Sequence, residues 1–256
     1  MRTPIEKNVG VWVPWRNSTR RTRLRLLCLP YAGGSASAFR NWSAALPEGI
    51  EICPVELAGR GNRFQEAPCR DLGRLVRDLS NELRPLLDVP FAIFGHSMGA
   101  LLTYLLALRL RKDNLPGPMQ LFLSGRRAAH LACRVRSFHN ATDPELLGYL
   151  QSLNGIPEEI LKSAGLLSMV LPVFRADLEL IDAYTHQNEL PLDCSICALA
   201  GIEDPFTTIE EVQAWRAHTA PAKFWFYLLP GDHFFLKRPE FMSTMCEHLE
   251  QLLQQL

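Results

Sequence analysis

The sequence has no surplus of charge of either sign: Lys and Arg together number 27, and so do Asp and Glu. That balance excludes the broad basic or acidic field on which nucleic-acid and anionic-membrane binders depend. No apolar run reaches the ~18–20 residues of a membrane span, so no membrane association is expected. No internal repeat, low-complexity tract or linker interrupts the 256 residues, which are expected to form one domain over 1–256. There is no second CxxC to join Cys194-Ser195-Ile196-Cys197 in a zinc site. That pair lies at and inside an expected strand, where positions three apart face opposite sides, whereas a redox pair would open a helix. The seven cysteines are odd in number, sit mostly among apolar neighbours and follow no secretory leader. Reduced thiols and a cytoplasmic location are therefore expected, with no metal and no cofactor.

What the sequence does have is apolar residues, 47% of the total, enough for a sizeable core. Residues 1–23 show no clear periodicity. Trp12 and Trp15 are positioned to anchor this lead-in, and Arg16, Arg20, Arg21, Arg23 and Arg25 form a local basic cluster, read as a solvated approach to a strand. From there, short apolar runs bounded by Gly and Pro alternate with helical stripes. Strands are expected at Leu24–Leu29, Ile50–Val55, Phe91–Phe94 and Met119–Leu123. Helices are expected through Phe39, Trp42 and Leu46, over Asp71–Leu87 and over Ala100–Arg109. Such alternation implies an α/β fold with a mostly parallel central sheet and helices on both faces.

The alternation stops after Leu123. The next convincing strand begins at Ser195, leaving residues 124–194, 71 in all, with helical patterns only. One crossover needs far fewer residues. Roughly 135–190 is read as a helical insertion whose longest segment, apolar nearly all round from Leu166 to Phe174, is kinked or divided by Pro172. Its natural place is over the carboxyl ends of the strands, as a lid. Then the alternation resumes, with a strand to Ala200, a helix around Glu210–His218, a strand over Lys223–Leu228 and a final helix from Pro239 to Leu256.

Within this frame, Gly95-His96-Ser97-Met98-Gly99 stands between a strand and a helix, the setting of a nucleophile elbow. A serine needs a base within hydrogen-bond reach and a third group to orient that base. Of the seven histidines, His96 lies inside the elbow, His130, His139 and His186 belong to the insertion, and His218 and His248 fall in helical patterns. His233, in the loop Pro230-Gly231-Asp232-His233-Phe234-Phe235 after the last strand, is left as the base. Asp204, 29 residues earlier and just past the strand ending at Ala200, is the expected acid; Glu203 is its neighbour and competitor, and Asp232 has poor geometry. An oxyanion would need two backbone donors, expected at Met98 and, in the Gly-rich loop after the first strand, at Ala32.

Seven segments occur in register: Leu29-Pro30-Tyr31-Ala32-Gly33-Gly34, Gly59-Arg60-Gly61-Asn62-Arg63, Phe94-Gly95-His96-Ser97-Met98-Gly99-Ala100, Ser124-Gly125-Arg126, Leu171-Pro172-Val173-Phe174-Arg175-Ala176-Asp177, Ala200-Gly201-Ile202-Glu203-Asp204 and Gly231-Asp232-His233-Phe234-Phe235. Together they resemble the type II (external, editing) thioesterases of nonribosomal peptide and polyketide synthases, from about Trp12 to the C-terminus. Two departures are Ala58, where the family usually has Pro, and the lack of a Pro near Ala129. The resemblance implies an α/β-hydrolase fold with a helical lid, and a monomer that removes misprimed or stalled acyl and aminoacyl groups. These groups are carried on the phosphopantetheine arm of acyl- or peptidyl-carrier protein domains, and with no room here for a carrier domain the substrate would arrive in trans. Ser97, Asp204 and His233 would take the nucleophile, orienter and base roles. Arg60, Arg63, Arg126 and Arg127 lie on loops after strands, where each is first expected to be solvated or to serve in a structural pair, the other expectation being a contact with the arm's phosphate or an acidic carrier surface. A small-molecule esterase, a non-catalytic binding module and an acyltransferase remain as alternatives.

Overall fold

Every pair of neighbouring strands in the central sheet is parallel, and the strand order reverses at the point where the chemistry gathers. The computed structural model describes residues 5–6, 10–17, 22–132, 138–152 and 162–256. A small antiparallel pair, β1 (Ile5–Glu6) and β2 (Arg16–Asn17), precedes the sheet. Its two-residue strands are too short to give an alternation that a sequence could display. Of the basic cluster, Arg20 and Arg21 lie outside the described residues, while Arg25 is buried against Glu51 and bonded to Asp88.

Six strands then make the sheet: β3 (Leu24–Leu29), β4 (Ile50–Pro54), β5 (Phe91–His96), β6 (Gln120–Ser124), β7 (Ser195–Gly201) and β8 (Phe224–Leu229). Their order is β4-β3-β5-β6-β7-β8. The chain steps outward from β3 to β4, then jumps to the other side of β3 for β5 and continues that way. Between β3 and β5 lies the switch point, outside whose carboxyl ends a crevice is expected.

Period-two alternation distributes each strand's side chains onto two cores. In β5, Phe91 and Ile93 join Leu27, Leu29, Leu121 and Leu123 on one face. There they pack against α1 (Leu72–Glu82) and α2 (Met98–Lys112) through Leu75, Leu79, Leu102 and Leu106. Ala92 and Phe94 point the other way, to Phe39, Trp42 and the helix that ends the chain. Helices thus cover both faces, as the fold class requires. The helix expected through Phe39 and Leu46 is instead two 3-10 turns, Ala36–Phe39 and Trp42–Ala44. The Ser35 oxygen accepts the Ser37 N–H and so caps the first of these turns.

Between β6 and β7 the described residues contain two helices, α3 (Asp143–Ser152) and α4 (Ala164–Asp182), and no strand. Residues 135–137 and 153–161 of the expected insertion lie outside the described residues. Pro172 does not divide α4, which runs through it as one element. Nor is the helix buried along its whole length. Leu166 and Met169 in its first half are exposed, whereas Leu171, Phe174 and Leu178 join Leu146 and Leu150 of α3 in a third cluster that packs on Ala32. These helices therefore stand over the loop that follows β3.

After β7, α5 (Ile209–Gln213) starts with a reciprocal capping box between Thr208 and Glu211. It tightens to a 3-10 turn over Ala214–His218, so that Trp215 and His218, three apart, both face the core. The last helix, α6 (Pro239–Gln254), opens on proline, whose fixed φ suits the first helical turn.

Candidate active site

β5 leads without a loop into α2, and the single residue between them is Ser97, at φ 54° and ψ −112°. A non-glycine residue in that region carries roughly 1–3 kcal/mol of strain. The surroundings hold it there. Its N–H donates to the Ser124 carbonyl at 2.8 Å, and the crossing of strand and helix leaves no room at the flanking glycines. A Cβ on Gly95 would lie 2.1 Å from the Gly99 carbonyl oxygen, and one on Gly99 would lie 2.2 Å from that of Leu29. The Ser97 side chain makes no capping bond to α2, so its hydroxyl is not committed to the helix.

His233 sits in the turn after β8, buried to 5% exposure, with its Nδ1 2.9 Å from Asp204 Oδ2. That bond fixes which ring nitrogen faces the acid and leaves Nε2 for proton transfer on the opposite side. Asp204 occupies the turn leaving β7. Its Oδ1 accepts the Phe206 N–H and its Oδ2 also accepts the Thr207 hydroxyl, both at 2.9 Å. Burial alone would push the Asp204 carboxyl up. The hydrogen bond and charge of His233, with the Phe206 and Thr207 donors, outweigh it and hold the group below the usual carboxylate range. The two competing acids have other partners. Glu203 accepts the Gly231 N–H and so ties the β7 turn to the β8 turn, while Asp232 accepts the Phe234 N–H at 2.8 Å and shapes its own loop.

Met98 heads α2, where the first-turn N–H groups have no intrahelical partner. Ala32 is the second residue of a turn closed by the Gly34 N–H donating to the Tyr31 carbonyl at 2.8 Å, with Gly33 at φ 73°. That is the pattern of a type II turn, which demands positive φ at its third position. The turn lies just past the end of β3, next to the start of α2, and its Tyr31 ring stands edge-on to Phe234, 4.9 Å between centroids.

The arginines are placed unevenly. Arg60 is buried and grips Asp177 of α4 through two bonds of 2.6 and 2.8 Å, with further donation to the Gly34 and Ala58 carbonyls. Arg63 makes a similar fork to Glu66, donates to the Glu56 carbonyl and lies over the Trp12 ring. Arg127 is buried and donates to the carbonyls of Ala132 and Phe206. These three are structural donors with their guanidinium groups turned inward, in the structural pairs that were one of the two expectations for them. Arg126 alone is half-buried, in a cleft shared with Tyr184 and His186.

His96, set aside in the sequence pattern as part of the elbow, proves central to its packing. Fully buried, it bonds Ser124 Oγ through Nδ1 at 2.9 Å and lies under His233, ring centroids 5.0 Å apart. Burial, reinforced by the charge His233 can carry, holds its pKa well below the usual value and keeps the ring neutral. Gly125, at φ 60°, is its floor, for a Cβ there would meet the ring at 2.5 Å. The only sequence sign of this was a Gly after the strand that neighbours the elbow. Among the described residues no group of acids, cysteines and histidines could hold a metal ion, and no helix is long and apolar enough to cross a membrane.

The comparisons with known proteins agree with this geometry. Residues 24–253 match the family model "Thioesterase domain". The chain is 40% identical over 247 residues to the gramicidin S biosynthesis protein GrsT of Aneurinibacillus migulanus, covering 96% of each. Among solved structures it resembles the RedJ thioesterase from the prodiginine biosynthetic pathway of Streptomyces coelicolor, at 39% identity and a TM-score of 0.82, covering 89% of this chain and 85% of that one. It also resembles the type II thioesterase BorB from the borrelidin biosynthetic cluster, at 33% identity and a TM-score of 0.83, covering 95% and 100%. A strained serine at a switch point, an acid-paired histidine packed against the residue before that serine and a family match spanning the whole sheet lead to one conclusion: the chain belongs to the thioesterase domain family of α/β-hydrolase fold and is a hydrolase of thioesters.

Proposed function

We propose that the chain is a type II thioesterase that edits a nonribosomal peptide or polyketide assembly line, with Ser97 as nucleophile, His233 as base and Asp204 as its orienter. The substrates are acyl and aminoacyl thioesters on the phosphopantetheine arm of carrier protein domains, and the enzyme works as a cytoplasmic monomer with no cofactor of its own. The observation that carries the reading is the buried 2.9 Å bond between His233 and Asp204, on the turns after β7 and β8, with the His233 ring packed against His96, the residue before Ser97. Support for the substrate class comes from GrsT, RedJ and BorB, all named for biosynthetic pathways or clusters.

In this mechanism Ser97 Oγ attacks the thioester carbonyl carbon while His233 Nε2 takes its proton. The carbonyl oxygen, now negative, is held by the N–H groups of Met98 and Ala32. Collapse breaks the C–S bond, and His233 returns the proton to the departing pantetheine sulfur. A water then attacks the acyl-serine, giving its proton to His233, and the second tetrahedral adduct releases the carboxylic acid and restores the Ser97 hydroxyl. Asp204, acceptor-only when ionised, favours the imidazolium that forms in each step. The helices α3 and α4 act as the lid over this site, and the cluster they form on Ala32 lines the way for an apolar acyl chain.

The test is mass spectrometry of a panel of acyl-carrier proteins incubated with the wild type and with Ser97→Ala. Loss of acyl groups with the wild type and none with the variant is the expected result. Turnover by a folded Ser97→Ala protein would overturn the nucleophile assignment. Faster cleavage of simple esters than of carrier thioesters would favour a small-molecule esterase instead.

A further inference from the structure

Asp177 is buried to 1% exposure on α4, and its carboxylate is used twice. Both oxygens accept from Arg60, and Oδ2 also accepts the Gly33 N–H at 2.7 Å. An ion pair alone would need only the first of these contacts. The second reaches into the turn that carries Ala32.

The same turn is held at two more points. Phe174, one helical turn before Asp177 and on the same face of α4, has its ring where a side chain on Gly33 would stand, 2.3 Å from the position of a Cβ. Arg60, gripped by Asp177, donates to the Gly34 carbonyl at 3.3 Å. Two consecutive residues of a four-residue turn are therefore fixed from outside, and each of the three contacts comes from α4 or from the arginine that α4 holds. The turn's own Gly34-to-Tyr31 bond does not set where it sits relative to the start of α2.

We propose that Asp177 is a positioning residue for the oxyanion donor. By clamping the Gly33 N–H and orienting Arg60 onto Gly34, it holds the Ala32 N–H against the site facing Met98. The helix over the active site is thus a working part of the catalytic turn as well as its cover. This rests on the assignment of Ser97 and Ala32 above. Asp177 touches neither the substrate nor the reacting atoms and acts only through the backbone of the turn.

Asp177→Asn keeps the shape but weakens both the fork to Arg60 and the bond to Gly33. Removing one oxyanion donor outright costs on the order of 10²–10³ in kcat, so a misplaced one is expected to cost about 10–100-fold. The experiment measures kcat and KM on a short acyl N-acetylcysteamine thioester, together with the affinity of an acyl trifluoromethyl ketone, which captures the serine as a tetrahedral oxyanion. The expected result is a fall in kcat and in ketone affinity by the same factor, with KM within about threefold. Arg175→Gln is the control. Arg175 fastens α4 to the carbonyls of His139 and Ala141 and to Asp143, away from the turn, so its loss should lower the thermal midpoint without the matching loss of ketone affinity. A folded Asp177→Asn protein with kcat and ketone affinity within about twofold of wild type would overturn the proposal, and so would an equal loss in Arg175→Gln. If Asp177→Asn does not fold, Arg60→Lys, which keeps the charge and loses the fork, is judged by the same criteria. An active Ser97→Ala protein would instead strike the underlying mechanism, whatever the Asp177 result.

Discussion

His233 Nδ1 and Asp204 Oδ2 lie 2.9 Å apart across 29 residues of sequence, and both side chains are almost wholly buried. The bond joins the turns after β7 and β8, whose strands pair in register from Ile196 with Phe224 to Gly201 with Leu229. Adjacent parallel strands ending level with each other bring the acid and the imidazole together without a long side chain on either.

Asp204→Asn should therefore lower kcat by roughly 10³–10⁴ with the fold intact, because an amide at this position can present its N–H₂ to Nδ1 and favour the wrong tautomer. Glu203→Gln should stay within about tenfold of wild type, since the amide oxygen can still accept the Gly231 N–H. Thiol release from an acyl thioester measures both. A larger loss in the Glu203 variant would transfer the role to that residue.

The elbow makes a second, purely steric prediction. An alanine at Gly99 would put its Cβ 2.2 Å from the Leu29 carbonyl oxygen and 2.7 Å from that of Pro30, both backbone atoms that cannot rotate away. Gly99→Ala should cost about 3 kcal/mol or more, or prevent folding. Gly148, inside α3, has nothing within 4 Å of the same position, so Gly148→Ala should stabilise by about 0.5–1 kcal/mol through helix propensity. Urea denaturation of the two variants reads the contrast.

Features set by a few neighbouring residues were legible in the sequence. The strand, turn and helix around Ser97 are local, and so are the Gly-rich turn after β3 and the exits of β7 and β8. Contacts between distant segments were not. Asp177 meets Gly33 across 144 residues and Arg60 across 117, and no spacing rule connects them. The same limit explains the arginines, whose inward orientation depends on Glu66, Asp177 and carbonyls supplied by the fold. The apolar pattern of α4 was visible, but not that only its second half would be covered, because that depends on where α3 packs. His96 was passed over for a similar reason: its value lies in the ring of partners Ser124, Gly125, Tyr31 and His233 that the sheet assembles around it.

The nucleophile assignment also predicts how the thiols behave. Burial pushes the Cys53 thiol up to about 12 and raises that of Cys28 well above its usual value, and Cys197 is wholly buried in β7. Thiolate is the reactive form, so these three should resist alkylation by iodoacetamide at neutral pH while the folded protein keeps its activity. Peptide mapping after alkylation, run beside a turnover assay, tests this. Rapid labelling of Cys28, Cys53 or Cys197 in the native protein would contradict the packing described for β3, β4 and β7.

His218 gives a pH dependence of stability that is separate from catalysis. Its ring is buried at the end of the 3-10 turn after α5, with Nδ1 bonded to the Tyr104 hydroxyl at 3.0 Å and Nε2 to His130 Nδ1 at 2.8 Å. Burial first, then the charges that His130 and His186 can carry, lower its pKa from 6.5 to about 4. Between these values the unfolded chain binds a proton that the folded chain excludes, so stability rises with pH. The contribution is complete above about pH 6.5 and is lost as the pH falls toward about 4. Asp204, held below the usual carboxylate range, loses its contribution only at lower pH, as its own folded-state carboxyl takes up a proton. His218→Gln should lower the thermal midpoint at neutral pH and flatten its fall between pH 6.5 and 4.5. Each kcal/mol of difference is worth about 2–4 °C in a chain of this size. His96 and His248, whose pKa values are also lowered, bond other partners and titrate alike in both proteins, so the difference between the two curves reports His218 together with His130, which is bonded to it. Parallel curves would mean that the acid sensitivity of the fold arises elsewhere.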